Sequence, residues 1–181
     1  MDALYIHPSG IRVIPASLTI EDVETEKLKK VLLSSPIEDH ILLLDAPPGL
    51  ESNTLDVLKT CEEVVVVTTP EIPAIADVIK TMDVARALGA LPLGIIVNKY
   101  MKNERDQLTL KEIEKACELP ILGVIPESKL VRKSIFKGMP VVSLYPHSKV
   151  SIAFKRTAAK ILGWKWEPRI PWWRKLLVGL R

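Results

Sequence analysis

Asp45-Ala-Pro-Pro-Gly49 places a carboxylate, two prolines and a glycine within five residues. An aspartate at a strand tip can hold Mg²⁺ through water or orient an attacking water. A glycine four residues on can present its backbone N–H to a terminal phosphate. The prolines stiffen the approach, and the glycine lets the chain turn beside a ligand. The same five residues also suit an ordinary strand-to-helix turn in which Asp45 caps the next segment. Asn98-Lys99 follows an apolar run and suits a base pocket. An amide both donates to and accepts from a ring edge, and a lysine stem packs on a ring. A plain polar loop start has the same composition. Pro126-Glu127 follows the next apolar run and offers backbone groups to the same ring. Glu71, after Pro70, reads as a helix N-terminal acid rather than a catalyst.

These residues sit at the ends of four continuous apolar runs. His40-Ile-Leu-Leu-Leu-Asp45 is the first, and Val64-Val-Val-Val67 leads to Thr68-Thr69-Pro70. Leu93-Gly-Ile-Ile-Val97 is the third and Ile121-Leu-Gly-Val-Ile125 the fourth. None alternates cleanly, so each strand is expected to be buried on both faces, as in a parallel sheet covered by helices. Helical stretches are predicted at about 20–34, capped by Thr19, and at about 53–60, 72–89, 109–117, 129–137 and 149–162. Pro73 suits the first turn of the helix at 72–89, and Gly89 suits its stop. Residues 3–6 and 11–14 read as two edge strands or one interrupted strand. The repeating strand–helix pattern predicts a doubly wound α/β layer, mostly parallel, with helices on both faces. Ligands of such sheets bind at the carboxyl ends of the strands.

Composition agrees. In 181 residues, hydrophobic types make up 48%, charged types 26% and aromatics only 5%. Disorder is excluded as the default, and Ile, Leu, Val and Ala favour an α/β core. A chain of this length buries about two thirds of its unfolded surface. Cys61 and Cys117 exclude a disulfide-dense scaffold and read as reduced thiols. His7, His40 and His147 have no metal-ligand spacing. No signal peptide is visible at the start, and no apolar stretch reaches membrane-spanning length.

The runs HILLLDAPPGLES, VVVVTTPEIPAIAD, GIIVNKY and LPILGVIPESKLVRKSIFKGMPVV come in the order and spacing of one family. The chain resembles the MinD/ParA ATPases, archaeal MinD-like proteins most closely, over about residues 4–162. The resemblance implies a P-loop NTPase-like fold. It implies that Asp45 is the aspartate of the switch II motif, catalytic and in the Mg²⁺ shell through water, and that Gly49 meets the γ-phosphate. It implies that Asn98 contacts adenine with Lys99 beside it, and that Pro126 and Glu127 close on the base. ATP and Mg²⁺ are the cofactors implied for a complete family domain.

The sequence also departs from the family. No GxxxxGK[ST] loop occurs in it, nor the switch I aspartate and second strand that accompany that loop. Phosphate binding in the family depends on that loop. The P-loop strand of the family lies beside the strand ending at the switch II aspartate. Its absence is expected to leave apolar sheet edges that invite pairing. The chain is therefore expected to be a truncated product, the C-terminal half of a split pair, or a free-standing member that binds a partner. ATP hydrolysis by the chain alone is expected to be poor or nil.

Residues 165–181 carry five cations against Glu167, a net of +4, while the rest holds 20 basic and 21 acidic residues. Gly163 is expected to end the last helix of a domain spanning 1–163. Residues 164–171 form a Pro- and Trp-rich linker, and 172–181 a short helix. At ~100° per residue, Trp172, Trp173, Leu176, Leu177 and Leu180 share an arc of about 140°, with Arg174, Lys175 and Arg181 outside it. A basic amphipathic helix with interfacial tryptophans suits an anionic membrane surface, and packing on its own domain is the other use of such a segment. MinD proteins carry a membrane-targeting helix of this kind. The body shows no comparable basic patch, so DNA is not an expected partner.

The resemblance then implies ATP-dependent dimerisation coupled to peripheral membrane binding, on the cytoplasmic face, in positioning division or another structure. Expected partners are a second copy or a complementary P-loop-bearing half, the anionic membrane, and a regulatory or adaptor protein. The other function class is a non-catalytic membrane-associated binding module.

Overall fold

A computed structural model describes residues 5–6, 10–14, 41–102 and 104–168. They belong to two compact units, 1–60 and 61–181. The helix expected at 20–34, His7, His40 and the segment 169–181 lie outside the described residues.

In the first unit, β1 (Tyr5–Ile6) and β2 (Arg12–Val13) pair antiparallel, with Tyr5 opposite Val13. Two short strands form, not one interrupted strand. The run after His40 departs from expectation: residues 41–47 form no strand. Ile41 is 63% exposed and Leu43 86%. A strand this apolar is stable only with a hydrogen-bonded neighbour and a cover on each face. Residues 41–47 have no ladder partner among the described residues. The helix α1 (Ser52–Thr60) comes next and buries Thr54 and Leu58.

The second unit holds a parallel three-stranded sheet, β3 (Glu63–Thr68), β4 (Leu91–Tyr100) and β5 (Ile121–Pro126), in that spatial order. Helix α2 (Ile72–Ala87) joins β3 to β4, and α3 (Leu110–Cys117) joins β4 to β5. After β5 come α4 (Lys129–Phe136), α5 (Val141–Leu144) and α6 (Lys149–Ile161). The four-residue α5 has no sequence signal beyond Pro140 before it.

Strand alternation sorts the two faces. Ile95 and Val97 are fully buried on one face. The α2 helix packs on β3 and β4, burying Ile75, Val78, Met82 and Ala85, and α3 adds Ile113 and Cys117 beside it. On the other face Ile96 and Ile125 pack with Val141 and Val150 of α5 and α6. Each such aliphatic side chain contributes about 2 kcal/mol by leaving water. Helices therefore cover both faces at β4 and β5, as a doubly wound α/β layer requires. Val67 of β3 is 61% exposed, short of the two-sided burial expected for that run, because α6 reaches only as far as β5 and its neighbour. Gly123 makes the second face possible: a Cβ there would run into the Thr157 side chain of α6.

Local chemistry sets the ends. Pro73 lies in the first turn of α2, with Glu71 as N-cap residue making no side-chain cap bond. Gly89, at φ +88°, and Gly163, at φ +65°, turn the chain after α2 and α6. Thr109 caps α3 in a complete capping box with Glu112.

Candidate functional site

β4 and β5 carry Asn98, Lys99, Pro126 and Glu127 to one place. Val97 pairs with Val124, but the next pair is Tyr100 with Pro126. Asn98 and Lys99 thus face the single residue Ile125, which makes a bulge at the strand's carboxyl end. Lys99 sits at φ +55°, a left-handed conformation uncommon for a lysine. Such a conformation costs on the order of 1–3 kcal/mol and persists where the surroundings hold it. Here the Lys99 N–H donates to Asn98 Oδ1 at 2.9 Å, folding the amide onto its own backbone. The Asn98 Nδ2 makes no hydrogen bond among the described residues, and Oδ1 retains a second lone pair.

The exit of β5 is tied to the exit of β4. The Glu127 N–H donates to the Tyr100 carbonyl at 3.1 Å. Ser128 then caps α4 by accepting from the Leu130 N–H at 3.2 Å. Asn98 and Pro126 are half-buried, and Lys99 and Glu127 are exposed. The loop after β4 is also anchored. Gln107 Oε1 accepts from the Met101 N–H at 3.2 Å, while its Nε2 donates to the Met101 carbonyl. The Leu108 N–H donates to the Pro70 carbonyl at 2.8 Å, holding the loop to the end of β3. The result is a polar rim at the carboxyl ends of adjacent parallel strands, with an amide whose NH₂ is available to a planar ring.

Asp45 and Gly49 lie in the first unit, on an exposed loop. Gly49 adopts φ +92°, which favours glycine, and a Cβ there would meet nothing within 4 Å. The Thr54 hydroxyl, from the first turn of α1, donates to the Pro47 carbonyl at 3.1 Å. It pins the middle of the Asp45–Gly49 loop. Asp45 belongs to no group of three or more metal-ligating side chains, and no such group occurs among the described residues. A lone carboxylate suits a metal held mainly by phosphate oxygens and water. Trp172, Trp173, Arg174, Lys175, Leu176, Leu177, Leu180 and Arg181, expected at a membrane surface, lie outside the described residues.

The structure thus brings Asn98, Lys99, Pro126 and Glu127 together and shows the Asp45–Gly49 turn by itself. Sequence reasoning missed Thr54 and Gln107, whose side chains bond backbone groups of the loops, and Tyr100, whose carbonyl is an acceptor. Tyr100 had no signal, because only its carbonyl is used. The Thr109-x-x-Glu112 spacing was readable as a capping box. Cys61 and Cys117 are free thiols, and burial pushes both above their ordinary pKa. A raised pKa disfavours the thiolate, the nucleophilic form. No helix among the described residues is long and apolar enough to cross a membrane.

The chain is similar to known proteins in sequence and in fold. A family model described as ParA, NUBPL iron-transfer P-loop NTPase, matches residues 29–162. An uncharacterized ATP-binding protein of Methanocaldococcus jannaschii is 37% identical over 172 residues, covering 93% of this chain and 65% of that protein. The cell division ATPase MinD of Pyrococcus furiosus has a crystal structure that superposes with a TM-score of 0.80 at 30% identity, covering 90% of this chain and 70% of that one. The septum site-determining protein MinD of Pyrococcus horikoshii, solved with Mg-ADP, gives a TM-score of 0.79 at 28% identity, over 88% of this chain and 67% of that one. The chain thus spans just under two thirds of the length of the Methanocaldococcus relative. With the family match covering most of its length and the parallel sheet in place, the chain belongs to the MinD/ParA family of P-loop NTPases.

Proposed function

We propose that the chain supplies the base-binding and switch II side of a MinD-like ATPase used in spatial positioning, such as placement of a division site. The observation that carries this is the Asn98–Lys99 bulge held against Pro126–Glu127. Asn98 Nδ2 would donate to an acceptor on adenine, and the second lone pair of Oδ1 would accept from its amino group. The Lys99 stem would cover the ring, and the backbone at Pro126 and Glu127 would close its far edge. Gly49 would offer its N–H to the terminal phosphate, and Asp45 would orient a water or hold a hydrated metal. Bound Mg²⁺ would neutralise phosphate charge. Two copies joined around nucleotide would present two C-terminal helices to the cytoplasmic face of the membrane. That raises avidity without any new contact.

The 181 residues contain no Walker A loop, and the family's phosphate grip depends on it. The chain alone is therefore expected to bind nucleotide weakly through the base and to hydrolyse it little or not at all. A complementary polypeptide bearing that loop would restore turnover. The second reading is a non-catalytic membrane-associated module that contacts an adaptor protein.

Equilibrium binding of a non-hydrolysable ATP analogue with Mg²⁺ separates the two. The first reading expects saturable binding that weakens about tenfold or more in Asn98→Ala. A folded chain that shows no saturable binding supports the module instead.

A further inference from the structure

The expectation that the body lacks a basic patch is wrong for one region. Residues 128–163 contain eight Lys and Arg and no Asp or Glu. They build α4, α5 and α6, which pack on one another in sequence. Near-neutrality of the whole body hid this, because the acids lie elsewhere in the chain. The three ion pairs of the described residues, Lys59–Asp56, Lys80–Asp77 and Arg86–Asp83, all lie outside this region. Lys155 and Lys160 donate to the carbonyls of Pro146 and Ile121, at 3.4 Å and 2.7 Å, which leaves their charge unneutralised.

The C-terminal end of α4 adds an apolar point to this field. Phe136 is 93% exposed and Ile135 71%, and Met139 beyond them is also exposed. Arg132, Lys133 and Lys137 stand around Phe136, and with Tyr145 they line an open groove of about 460 Å³. The turn after α4 is fixed: Gly138 and Met139 donate to the carbonyls of Ile135 and Ser134 at 2.9 Å and 3.1 Å. An aromatic and an aliphatic side chain held in water by a rigid turn and ringed by cations are costly unless something apolar receives them. An acidic protein surface or a nucleic acid would answer the cations. Ile135 and Met139 offer neither stacking nor hydrogen bonds to a base. The interfacial layer of an anionic bilayer answers both features, with headgroups for the cations and acyl chains for the apolar tip.

We infer that the Ile135–Met139 turn at the end of α4 is a membrane-contact site on the body of the protein, which inserts Phe136 and Ile135 into an anionic bilayer while Arg132, Lys133 and Lys137 engage lipid phosphates. This site is distinct in sequence from residues 172–181. It would orient the body against the surface, which a single point of attachment does not.

The test uses the full chain and flotation with vesicles of phosphatidylcholine with or without phosphatidylglycerol. Phe136→Ser is expected to lower partitioning onto phosphatidylglycerol-containing vesicles about tenfold. The double variant Lys133→Glu with Lys137→Glu lowers it at least as much, and the loss shrinks at high salt. Both variants should keep the thermal midpoint of the unchanged chain, since these side chains are exposed. Partitioning within about twofold of the unchanged chain in both variants overturns the inference. So does a charge variant that loses duplex DNA binding and vesicle binding alike while Phe136→Ser changes neither, because the surface is then a nucleic-acid contact. Leu176→Asp separates this site from the tail. Loss in Leu176→Asp alone leaves the tail reading standing and removes this one, and loss in the α4 variants alone does the reverse.

Discussion

The Lys99 N–H donates to the Asn98 side-chain oxygen at 2.9 Å, across a bulge that turns Lys99 into a left-handed conformation. The bond and the bulge belong together. The extra residue opposite Ile125 takes the Asn98–Lys99 backbone out of regular register, and the local hydrogen bond fixes which way the Asn98 side-chain amide faces. A lysine accepts this backbone at a cost that glycine would not bear.

Lys99→Gly should therefore separate stability from function. The thermal midpoint of the chain is expected to hold or to rise, by up to about 1 kcal/mol of stability. Binding of the ATP analogue is expected to weaken, because the cover proposed for the ring is gone. A clear loss of stability would mean that Lys99 packs the fold and does not serve the site.

Gly123→Ala tests the contact between the sheet and α6. The added Cβ meets the Thr157 side chain, whose Cβ lies 2.7 Å from the ideal position. Overpacking of this kind costs about 1–3 kcal/mol, read as a lower midpoint in urea at unchanged slope. Combining it with Thr157→Ala removes the two nearest atoms and should recover part of the loss.

The α3 cap gives a pH signature. Hydrogen bonds from the Thr109 hydroxyl and backbone N–H hold the Glu112 carboxyl below its ordinary pKa. A depressed carboxyl stabilises the fold above the ordinary glutamate pKa, and that contribution is lost as pH falls through the folded value. The stability gap between the unchanged chain and Glu112→Gln should thus be widest near neutrality and close in acid. Thr109→Ala removes the hydroxyl that accepts from the Glu112 N–H and donates to its carboxylate, and costs about 1 kcal/mol near neutrality.

Thr54→Val should loosen the Asp45–Gly49 loop while keeping shape. The valine fills the same space but cannot donate to the Pro47 carbonyl. Faster amide hydrogen exchange at residues 49–51, with a stability loss of about 1 kcal/mol, is the expected readout.

Much of this fold was legible in the sequence because its signals are local. The runs Val64–Val67, Leu93–Val97 and Ile121–Ile125 became the parallel strands, and Pro73, Gly89 and Gly163 marked helix boundaries where expected. Residues 41–45 carry the same apolar signal yet form no strand. Strand formation is decided by neighbours, and composition does not reveal whether a neighbour exists. The site divided in the same way. Asn98, Lys99, Pro126 and Glu127 were visible by type and position. The bulge, the Tyr100 carbonyl and the Thr54 hydroxyl were not, because register and backbone hydrogen bonds leave no residue signature. The cation-only region from 128 to 163 was written in the sequence but averaged away in a count over the whole body.

The ends of β4 and β5 are the proposed base pocket. Photolabelling with an azido-adenine ATP analogue, then peptide mapping, tests it directly. Label concentrated in the peptides holding 98–101 and 126–128, and displaced by excess ATP, is the predicted result. Label that falls elsewhere, or that excess ATP fails to displace, would contradict the account.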